Sequence, residues 1–270
     1  MEYLDFAIEL ARAGGGVLKH YMTREKQVEL KSRANLVTIA DKESEALVIQ
    51  RIKERYPDHA ILAEESGASG SGEGKWIIDP LDGTTNFAHQ YPFFCVSVAF
   101  EQRGEILCGA VYDPVRDEMF SAARGAGAFV NDQPIRVSDT AKLGSALIIT
   151  GFPYSVREKI HLAMSQFEAF IMESQAVRRG GSAALDLCYV AIGRCDGFWE
   201  MDLHPWDTAA GQVILEEAGG RVTDFSGDSF TAYGKQILAS NGRIHEEMIS
   251  VVGKTYSPRD EQLRDGGRIR

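Results

Sequence analysis

Two carboxylates, Asp79 and Asp82, lie close together in the string DPLDGTTNF and are the strongest candidates for catalytic or ligand-binding residues. The apolar run Trp76–Ile78 is predicted to be a buried strand, which puts Asp79 at the strand end where α/β folds place their active sites. Because the proline between the aspartates ends ladder pairing and Gly83 permits an unusual turn, both carboxylates can point into one cavity. Thr84 begins a short predicted helix, and exposed N–H groups at such a turn bind phosphate.

Each acidic motif also has a purely structural explanation. Asp and Gly in that string could serve only to form a turn. Glu64 and the glutamate after it precede a glycine-rich segment, which is typical of a solvated strand end. Asp207 stands at a predicted helix start, where Asp is commonly an N-cap, and Thr38 and Asp41 have the spacing of a capping box. Taken one at a time, these residues do not establish a function.

The composition limits the classes of partner. The 270 residues include 39 acidic and 29 basic side chains, which gives a formal net charge of −10. Such a charge argues against nucleic acid or an anionic membrane surface as a simple electrostatic partner. An anionic substrate stays open, because a bound metal can reverse the sign of the charge locally. The hydrophobic fraction of 44% is typical of a folded globular protein.

The chain shows no sign of export. The N-terminal residues include Glu2, Asp5 and Glu9 and no apolar run, so no signal peptide is predicted. No stretch approaches the roughly 20 apolar residues of a membrane span. The four cysteines form no CxxC or CxxH pair, which argues against a zinc site or a redox motif. We expect reduced, buried thiols and a cytoplasmic location.

The first half of the chain is predicted to form helices and then an antiparallel sheet. Amphipathic helices are predicted over residues 2–22 and after Thr38, to about Arg55. Six short apolar runs with turn residues between them predict a largely antiparallel sheet. These runs are Ile61–Ala63, Trp76–Ile78, Phe94–Phe100, Leu107–Tyr112, Met119–Ala123 and Gly127–Val130.

From Ser145 the predicted strands and helices alternate, which is typical of an α/β arrangement. The predicted strands are 145–150, 176–178, 197–200 and 236–240, and the predicted helices are 156–173, 182–192, 207–218 and one from about Ile244. We therefore expect an α/β (α+β) fold in two parts, an N-terminal α+β subdomain over 1–140 and a C-terminal α/β subdomain over 141–256. Residues 66–74 are predicted to form a flexible loop and residues 257–270 a flexible tail.

Three strings taken together resemble the inositol monophosphatase family, the magnesium-dependent, lithium-sensitive group of sugar and polyol phosphatases. The strings are AEES at 63–66, DPLDGTTNF at 79–87 and HPWDTAAG at 204–211. The similarity extends from about residue 5 to residue 252 and includes LKSRANLVTIAD at 30–41, GGSAALD at 180–186 and DGFWE at 196–200. The resemblance implies a layered αβαβα sandwich, with the main metal-binding motif in the N-terminal subdomain.

The resemblance also implies a magnesium site with two to three ions in each subunit. One ion would be bound by Glu64, Asp79 and the backbone carbonyl of Leu81, and the second by Asp79, Asp82 and Asp207. A third, weaker ion is described for the family near Glu64. No metal-ligand position departs from the family pattern.

The implied substrate contacts lie on several segments. The N–H groups of Gly83 and Thr84 would receive the phosphate, and Lys31 would approach the metal–phosphate centre. The other implied substrate contacts are Gly181, Ser182, Ala183, Glu200 and Asp207. Asp202 departs from the pattern, because a small residue is common there, and it leaves the substrate preference open.

Elementary electrostatics explains why these parts belong together. Two carboxylates ~4 Å apart repel by about 4 kcal/mol at an effective dielectric constant near 20. Four in one cavity must protonate or bind cations, and an all-oxygen donor set favours Mg²⁺ over zinc. Two such ions can activate a water and stabilise the departing alkoxide of a phosphate monoester. The resemblance to the family implies a path for the proton of the water through the Thr84 hydroxyl, with Asp41 behind it, and Glu64 is a competing base.

The resemblance implies a cytoplasmic, homodimeric phosphoric monoester hydrolase that converts myo-inositol monophosphate to inositol and phosphate. Fructose-1,6-bisphosphatase, histidinol-phosphatase and bisphosphate nucleotidase activities occur on the same fold and stay open, although no adenine-reading element is recognisable. A regulatory role is an alternative of another class, because some bacterial relatives associate with RNA polymerase or the ribosome-biogenesis machinery. The acidic charge permits such a protein partner but argues against direct binding of RNA.

Overall fold

The computed structural model describes residues 2–22, 28–30, 36–153 and 155–255. Lys31 and the predicted tail, residues 257–270, lie outside these ranges. The α-helices in the described part are α1 (Glu2–Tyr21), α2 (Ile39–Arg55), α3 (Thr84–Ala88), α4 (Ile160–Glu173), α5 (Ala183–Ala191), α6 (Pro205–Glu217) and α7 (His245–Thr255).

The strands belong to three sheets. Strands β1 (Val28–Leu30) and β2 (Leu36–Thr38) form a small antiparallel pair. The larger sheets contain β3 (Ala60–Ala63), β4 (Gly67–Ser69), β5 (Gly74–Asp82), β6 (Cys95–Gln102), β7 (Glu105–Asp113), β8 (Glu118–Ala123), β9 (Gly127–Val130), β10 (Gln133–Pro134), β11 (Leu147–Thr150), β12 (Ala176–Arg179), β13 (Gly197–Met201), β14 (Arg221–Thr223) and β15 (Gln236–Ser240).

The first large sheet has the strand order β10-β9-β8-β7-β6-β5-β3-β4. All neighbouring pairs are antiparallel except β3 and β5, which are parallel. The expectation of a largely antiparallel sheet is therefore confirmed. The predicted flexible loop at 66–74 is wrong in part, because Gly67–Ser69 pairs with Ile61–Ala63 as an edge strand. Backbone hydrogen bonds to a neighbouring strand order this segment although its side chains are small.

The second large sheet has the order β12-β11-β13-β15-β14, with the first three strands parallel and the last two antiparallel to their neighbours. The predicted alternation of strands and helices is found. Helix α4 begins at Ile160 instead of residue 156, because the residues before it form turns closed by short-range bonds such as that from Val156 N–H to the Pro153 carbonyl.

Three apolar clusters show how the layers pack. Helices α1 and α2 cover one face of the first sheet, where Leu10 and Val48 lie in one cluster with Trp76. Helices α5 and α6 lie between the sheets, since their buried residues share a cluster with residues of β5, β8 and β13. Helices α4 and α7 cover the outer face of the second sheet, where Phe170 stacks on Trp199. The layers form an αβαβα sandwich, as expected.

The strands of the first large sheet lie within residues 60–134 and those of the second within 147–240. Helices α5 and α6 nevertheless pack against both sheets, so the subdomain boundary near residue 140 stays a prediction. None of the described helices has both the length and the apolar character that crossing a bilayer requires.

Candidate active site

Strand β5 delivers both aspartates of the central motif to one buried position. In the pairing with β6, Asp79 faces Ser97 and Asp82 faces Cys95, so three steps on β5 oppose two steps on β6. Because side chains alternate along a strand, three regular steps would put the aspartates on opposite faces, and the extra residue restores one common face. Asp79 is 1% exposed and Asp82 is 8% exposed.

Two buried aspartates and the partly exposed Asp207 accept hydrogen bonds from nearby donors. Asp79 Oδ1 accepts from the N–H of Leu81 at 2.9 Å, within the same turn. Asp207 Oδ2 accepts from the N–H of His204 at 2.7 Å, as the capping-box residue at the start of α6. Asp82 Oδ2 accepts from the hydroxyl of Ser182 and from the N–H of Ala184, both at 2.8 Å. These bonds fix the carboxylates, but they do not neutralise the charges.

The carboxylates influence each other, which shows that they converge. Burial, and then the charges of Glu64, Asp82 and Asp207, raise the pKa of Asp79 well above its ordinary value. Burial and then the charge of Asp82 raise the pKa of Asp207 in the same direction. Burial raises the pKa of Asp82 to about 6, against the lowering effect of its hydrogen bonds from α5. The four predicted carboxylate ligands therefore lie in one region.

Gly83 links this acidic region to the short helix α3. It has a left-handed φ of 97°, and a Cβ atom there would lie 3.0 Å from the Phe93 carbonyl oxygen. Only glycine combines this backbone conformation with so little space. The turn places Thr84 two residues after Asp82, with its side chain buried.

The Thr84 hydroxyl lies between two acceptors. Its Oγ1 is 3.1 Å from Asp41 Oδ1 and 3.0 Å from the Leu81 carbonyl oxygen, so its single proton can reach either. Asp41 Oδ2 also accepts from the N–H of Thr38 at 2.8 Å and from its hydroxyl at 2.5 Å, so the capping box is present as well. Burial and then the charge of Glu64 raise the pKa of Asp41 to about 6, while its hydrogen bonds with Thr38 and Thr84 oppose this rise. The structural and chemical interpretations of Thr38 and Asp41 are thus compatible.

Glu64 directly follows β3, on a turn whose backbone N–H groups donate hydrogen bonds to the side chain of Glu45. The N–H of Glu64 donates to the Ile78 carbonyl at 3.2 Å, beside β5. The N–H groups of Glu65 and Ser66 donate to the two carboxylate oxygens of Glu45, each at 2.9 Å. Glu45 is buried, and sequence reasoning missed it. Glu45 lies four residues after Asp41, on the same face of α2, and this spacing could have indicated a role near the site.

The predicted substrate segment packs against α3. Gly181 has a φ of 95°, and a Cβ atom there would lie 2.4 Å from a guanidinium nitrogen of Arg179. Asn86 Nδ2 donates to the Gly180 carbonyl at 3.1 Å, which ties the segment to α3. Ser182 is the N-cap of α5, and Ala183 is its buried first residue.

Glu200 lies on β13 near the same region and is 7% exposed. Burial raises its pKa well above the ordinary value, the charge of Arg179 lowers it, and Asp207 and Asp82 raise it further. A Cβ atom on Gly151 would lie 2.2 Å from a Glu200 carboxylate oxygen, so a larger residue there would displace that carboxylate. Asp202, in contrast, bonds to Ser155 and pairs with Lys159, 2.9 Å away, near the start of α4.

Asp186 is a buried carboxylate near the site to which sequence reasoning gave no role. It is fully buried and neither carboxylate oxygen has a hydrogen-bond partner among the described residues. Burial, and then the charges of Glu200 and Asp82, raise its pKa well above the ordinary value. A Cβ atom on Gly180 would lie 2.1 Å from Asp186 Oδ1. The Asp186 carboxylate therefore packs closely against the glycine segment.

The donor set fits a hard divalent cation. Glu64, Asp79, Asp82 and Asp207 supply only oxygen donors. Asp79 and Asp82 are buried and Asp207 is partly exposed, and the pKa of all three aspartates is raised, as expected of carboxylates that lack a counter-charge. Within the described ranges, no group of three or more His, Cys, Asp and Glu side chains is arranged so that it could hold a metal ion as the side chains stand. The carboxylates would therefore have to turn from their present donors toward a bound ion.

Comparison with known proteins agrees with this fold and identifies the family. The sequence model of the inositol monophosphatase family matches residues 1–255. The chain belongs to the inositol monophosphatase family. The resemblance expected from the motifs is therefore confirmed, as is the layered fold of that family.

Similar members of the inositol monophosphatase family carry two kinds of name. Inositol-1-monophosphatase of Synechocystis sp. PCC 6803 is 44% identical over 256 residues, which cover 94% of this chain and 89% of that protein. Nus factor SuhB of Vibrio cholerae serotype O1 is 45% identical over 244 residues, which cover 89% of this chain and 91% of that protein. The structure of an inositol monophosphatase from Anabaena (Nostoc) sp. PCC 7120 matches with a TM-score of 0.87 and 45% identity, over 96% of this chain and 98% of that chain.

Proposed function

We propose that this chain is a Mg²⁺-dependent phosphomonoesterase that hydrolyses myo-inositol monophosphate to inositol and phosphate. The observation that carries the proposal is the proximity of three hydrogen-bonded aspartates, the buried Asp79 and Asp82 and the partly exposed Asp207, with Glu64 nearby. Such a cluster is costly to bury without a cation, and with two divalent ions its formal charge falls from −4 to zero. A phosphate group could then enter an otherwise acidic protein.

The residues divide into metal ligands and proton-handling groups. Mg²⁺ bound by Glu64, Asp79, Asp82, Asp207 and the Leu81 carbonyl would supply an activated water and charge stabilisation for the departing alkoxide. The Thr84 hydroxyl would accept a proton from the attacking water as its own proton passes to Asp41 Oδ1, 3.1 Å away. Glu64 is the competing base.

The other predicted contacts serve the substrate. Gly83 and Thr84 would bind the phosphate through their N–H groups, while Gly181, Ser182, Ala183 and Glu200 would contact hydroxyl groups of the alcohol. Glu200 supports this role because it is a largely buried carboxylate within electrostatic reach of Asp82 and Asp207. The proposed contribution of Lys31 lies outside the described residues.

A phosphate-release panel tests the proposal. The substrates are myo-inositol 1-phosphate, fructose 1,6-bisphosphate, histidinol phosphate and 3′-phosphoadenosine 5′-phosphate, each with Mg²⁺ and then with added Li⁺. We expect the highest kcat/KM for the inositol phosphate, no activity with EDTA, and inhibition by Li⁺. A clear preference for another substrate would replace the proposed one, and activity that survives EDTA would contradict the metal mechanism. Asp79→Asn is the inactive control.

A second candidate function follows from the relatives named Nus factor SuhB. We propose that the chain also binds RNA polymerase or an associated protein, without direct binding of RNA. Purified RNA polymerase in a pull-down is the test, and Asp79→Asn is expected to bind as the wild type does if the two functions are separate. We also propose a homodimer in the cytoplasm, and light scattering of the purified chain measures the oligomeric state.

A further inference from the structure

A narrow cleft opens beside Glu200, between the end of the second large sheet and α4. Its empty volume is about 200 Å³, which includes the mouth open to solvent. The cleft is lined by Gly151, Phe152, Pro153, Ala163, Gln166, Trp199, Glu200 and Met201. Glu200 is also the residue proposed to contact substrate hydroxyls, so the cleft shares one lining residue with the proposed substrate site.

Gln166 is the feature of this cleft that needs an explanation. It lies on α4 and is 1% exposed, and neither Nε2 nor Oε1 has a hydrogen-bond partner among the described residues. Burying an amide without partners costs free energy, so native proteins satisfy nearly all such groups with protein, water or ligand. A leucine in this place would fill the same volume at no polar cost. The amide is therefore expected to have a partner that enters from the cleft.

The other lining residues restrict the chemistry of that partner. Phe152, Pro153, Ala163 and Trp199 offer apolar side chains, so Gln166 and Glu200 are the polar side chains of the lining. The space in the cleft that a water-sized sphere can occupy is about 10 Å³, close to what one water molecule needs, so at most a single hydroxyl group fits and not a whole ring. An amide both donates and accepts, which suits an uncharged hydroxyl group.

We propose that this cleft is a subsite for one uncharged hydroxyl group of the substrate alcohol, with the Gln166 amide as its hydrogen-bond partner. The inference deepens the proposed function and rests on it for the identity of the alcohol. Glu200 belongs to β13 and Gln166 to α4, so residues from two layers of the sandwich would contact the hydroxyl group. Gln166 thereby becomes a specificity-determining residue. The roles proposed for the metal ligands and Thr84 stay the same.

The test compares two substrates in two proteins. Myo-inositol 1-phosphate carries the hydroxyl groups, and cyclohexyl phosphate has a ring of the same size without them. For Gln166→Leu we expect kcat/KM on the inositol phosphate to fall about three- to tenfold, the effect of one neutral hydrogen bond. On cyclohexyl phosphate the change should stay within about twofold, since no hydroxyl is lost. An equal change on both substrates would overturn the proposal and indicate that the amide binds only an ordered water.

Thermal unfolding gives an independent readout. Because the amide lacks a partner when the cleft holds no alcohol, Gln166→Leu should raise the Tm of the substrate-free protein. Myo-inositol at millimolar concentration should raise the Tm of the wild type more than that of the variant. A higher Tm with unchanged kinetics and an unchanged inositol shift would show that Gln166 is merely an unsatisfied core residue, and would overturn the proposal.

Two further variants keep the result interpretable. Gln212→Leu is the matched control, because Gln212 on α6 is also buried with an unpartnered Oε1 but does not line the cleft. It should not change the ratio of the two substrates. Gln166→Met replaces the leucine variant if that protein does not fold, and carries the same expectations. If the wild type hydrolyses neither phosphate, the proposed function fails, while the inositol-induced Tm shift still decides whether the subsite exists.

Discussion

Ser182 donates a hydrogen bond from its hydroxyl to Asp82 Oδ2 across 2.8 Å, and the two residues are 100 positions apart in the chain. The same hydroxyl oxygen accepts from the N–H of Leu185 at 3.4 Å as the N-cap of α5. One side chain therefore joins a proposed metal ligand in the first sheet to the proposed substrate segment before α5. We therefore expect metal binding and substrate positioning to be coupled through Ser182.

Ser182→Ala should weaken Mg²⁺ binding. The variant removes one of two donors to Asp82, and loss of such a supporting bond typically costs 10- to 100-fold in metal affinity. We expect the Mg²⁺ concentration for half-maximal phosphate release to rise by about tenfold, with a modest loss of stability from the missing cap. Ser182→Thr keeps the hydroxyl and is the control. An unchanged Mg²⁺ dependence would show that this bond only caps the helix.

Asp79→Asn should abolish phosphate release and yet stabilise the metal-free protein. The neutral amide removes a charge that is buried among Glu64, Asp82 and Asp207, so repulsion falls when no cation is present. The Tm in EDTA should rise, and the further rise on adding Mg²⁺ should be much smaller than in the wild type. Asp58→Asn makes the same charge change at an exposed position and should alter neither value. A lower Tm in EDTA would contradict the repulsion.

Stability should depend on pH differently with and without Mg²⁺. The folded protein raises the pKa of Asp41 and Asp82 to about 6, above the ordinary value of 3.8. A carboxyl with a raised folded pKa favours the folded state while it is protonated, and this contribution is lost as pH rises from about 4 through about 6. Asp79 and Asp207 are raised further in the same direction and extend the loss to higher pH. Mg²⁺ replaces the protons, so the Tm difference between Mg²⁺ and EDTA should grow from pH 5 to pH 8. A constant difference would argue against proton displacement.

Asp41→Asn and Glu64→Gln separate the two candidate bases. If Thr84 passes its proton to Asp41, the asparagine variant should lower kcat by about 100-fold or more at saturating Mg²⁺, with little change in the half-saturating Mg²⁺ concentration. Glu64→Gln should instead raise that concentration, because it removes a proposed metal ligand. A kcat loss confined to the Glu64 variant would assign the base to Glu64. Thr84→Ser keeps the hydroxyl and should retain most of the activity.

Glu45→Gln should change metal binding from a distance. The two Glu45 oxygens accept from the N–H groups that follow Glu64, and a glutamine can accept only one of them. The turn that presents Glu64 then loosens, and we expect about a tenfold rise in the half-saturating Mg²⁺ concentration with kcat nearly restored at high Mg²⁺. Glu43→Gln, an exposed change on the same helix, is the matched control. An equal effect of both variants would indicate a general loss of charge.

Features that depend on local interactions could be predicted from the amino-acid sequence. Helix periodicity predicted α1 and α2, and the Thr38–Asp41 spacing predicted a capping box that the structure contains. Strand runs separated by turn residues predicted the antiparallel sheet, and the acidic strings identified the family before any fold was known. These features depend on residues a few positions apart, so their spacing in the chain is sufficient.

Contacts between residues that are far apart in the sequence could be seen only in the folded structure. The extra residue between Asp79 and Asp82, the bond from Ser182, the support from Glu45 and the edge pairing of Gly67–Ser69 all depend on the register between distant elements. Gln166 belongs to this group, because the sequence shows a polar residue on a helix and the fold buries it beside Glu200. Burial and register are set by packing of the whole sandwich, which no local pattern specifies.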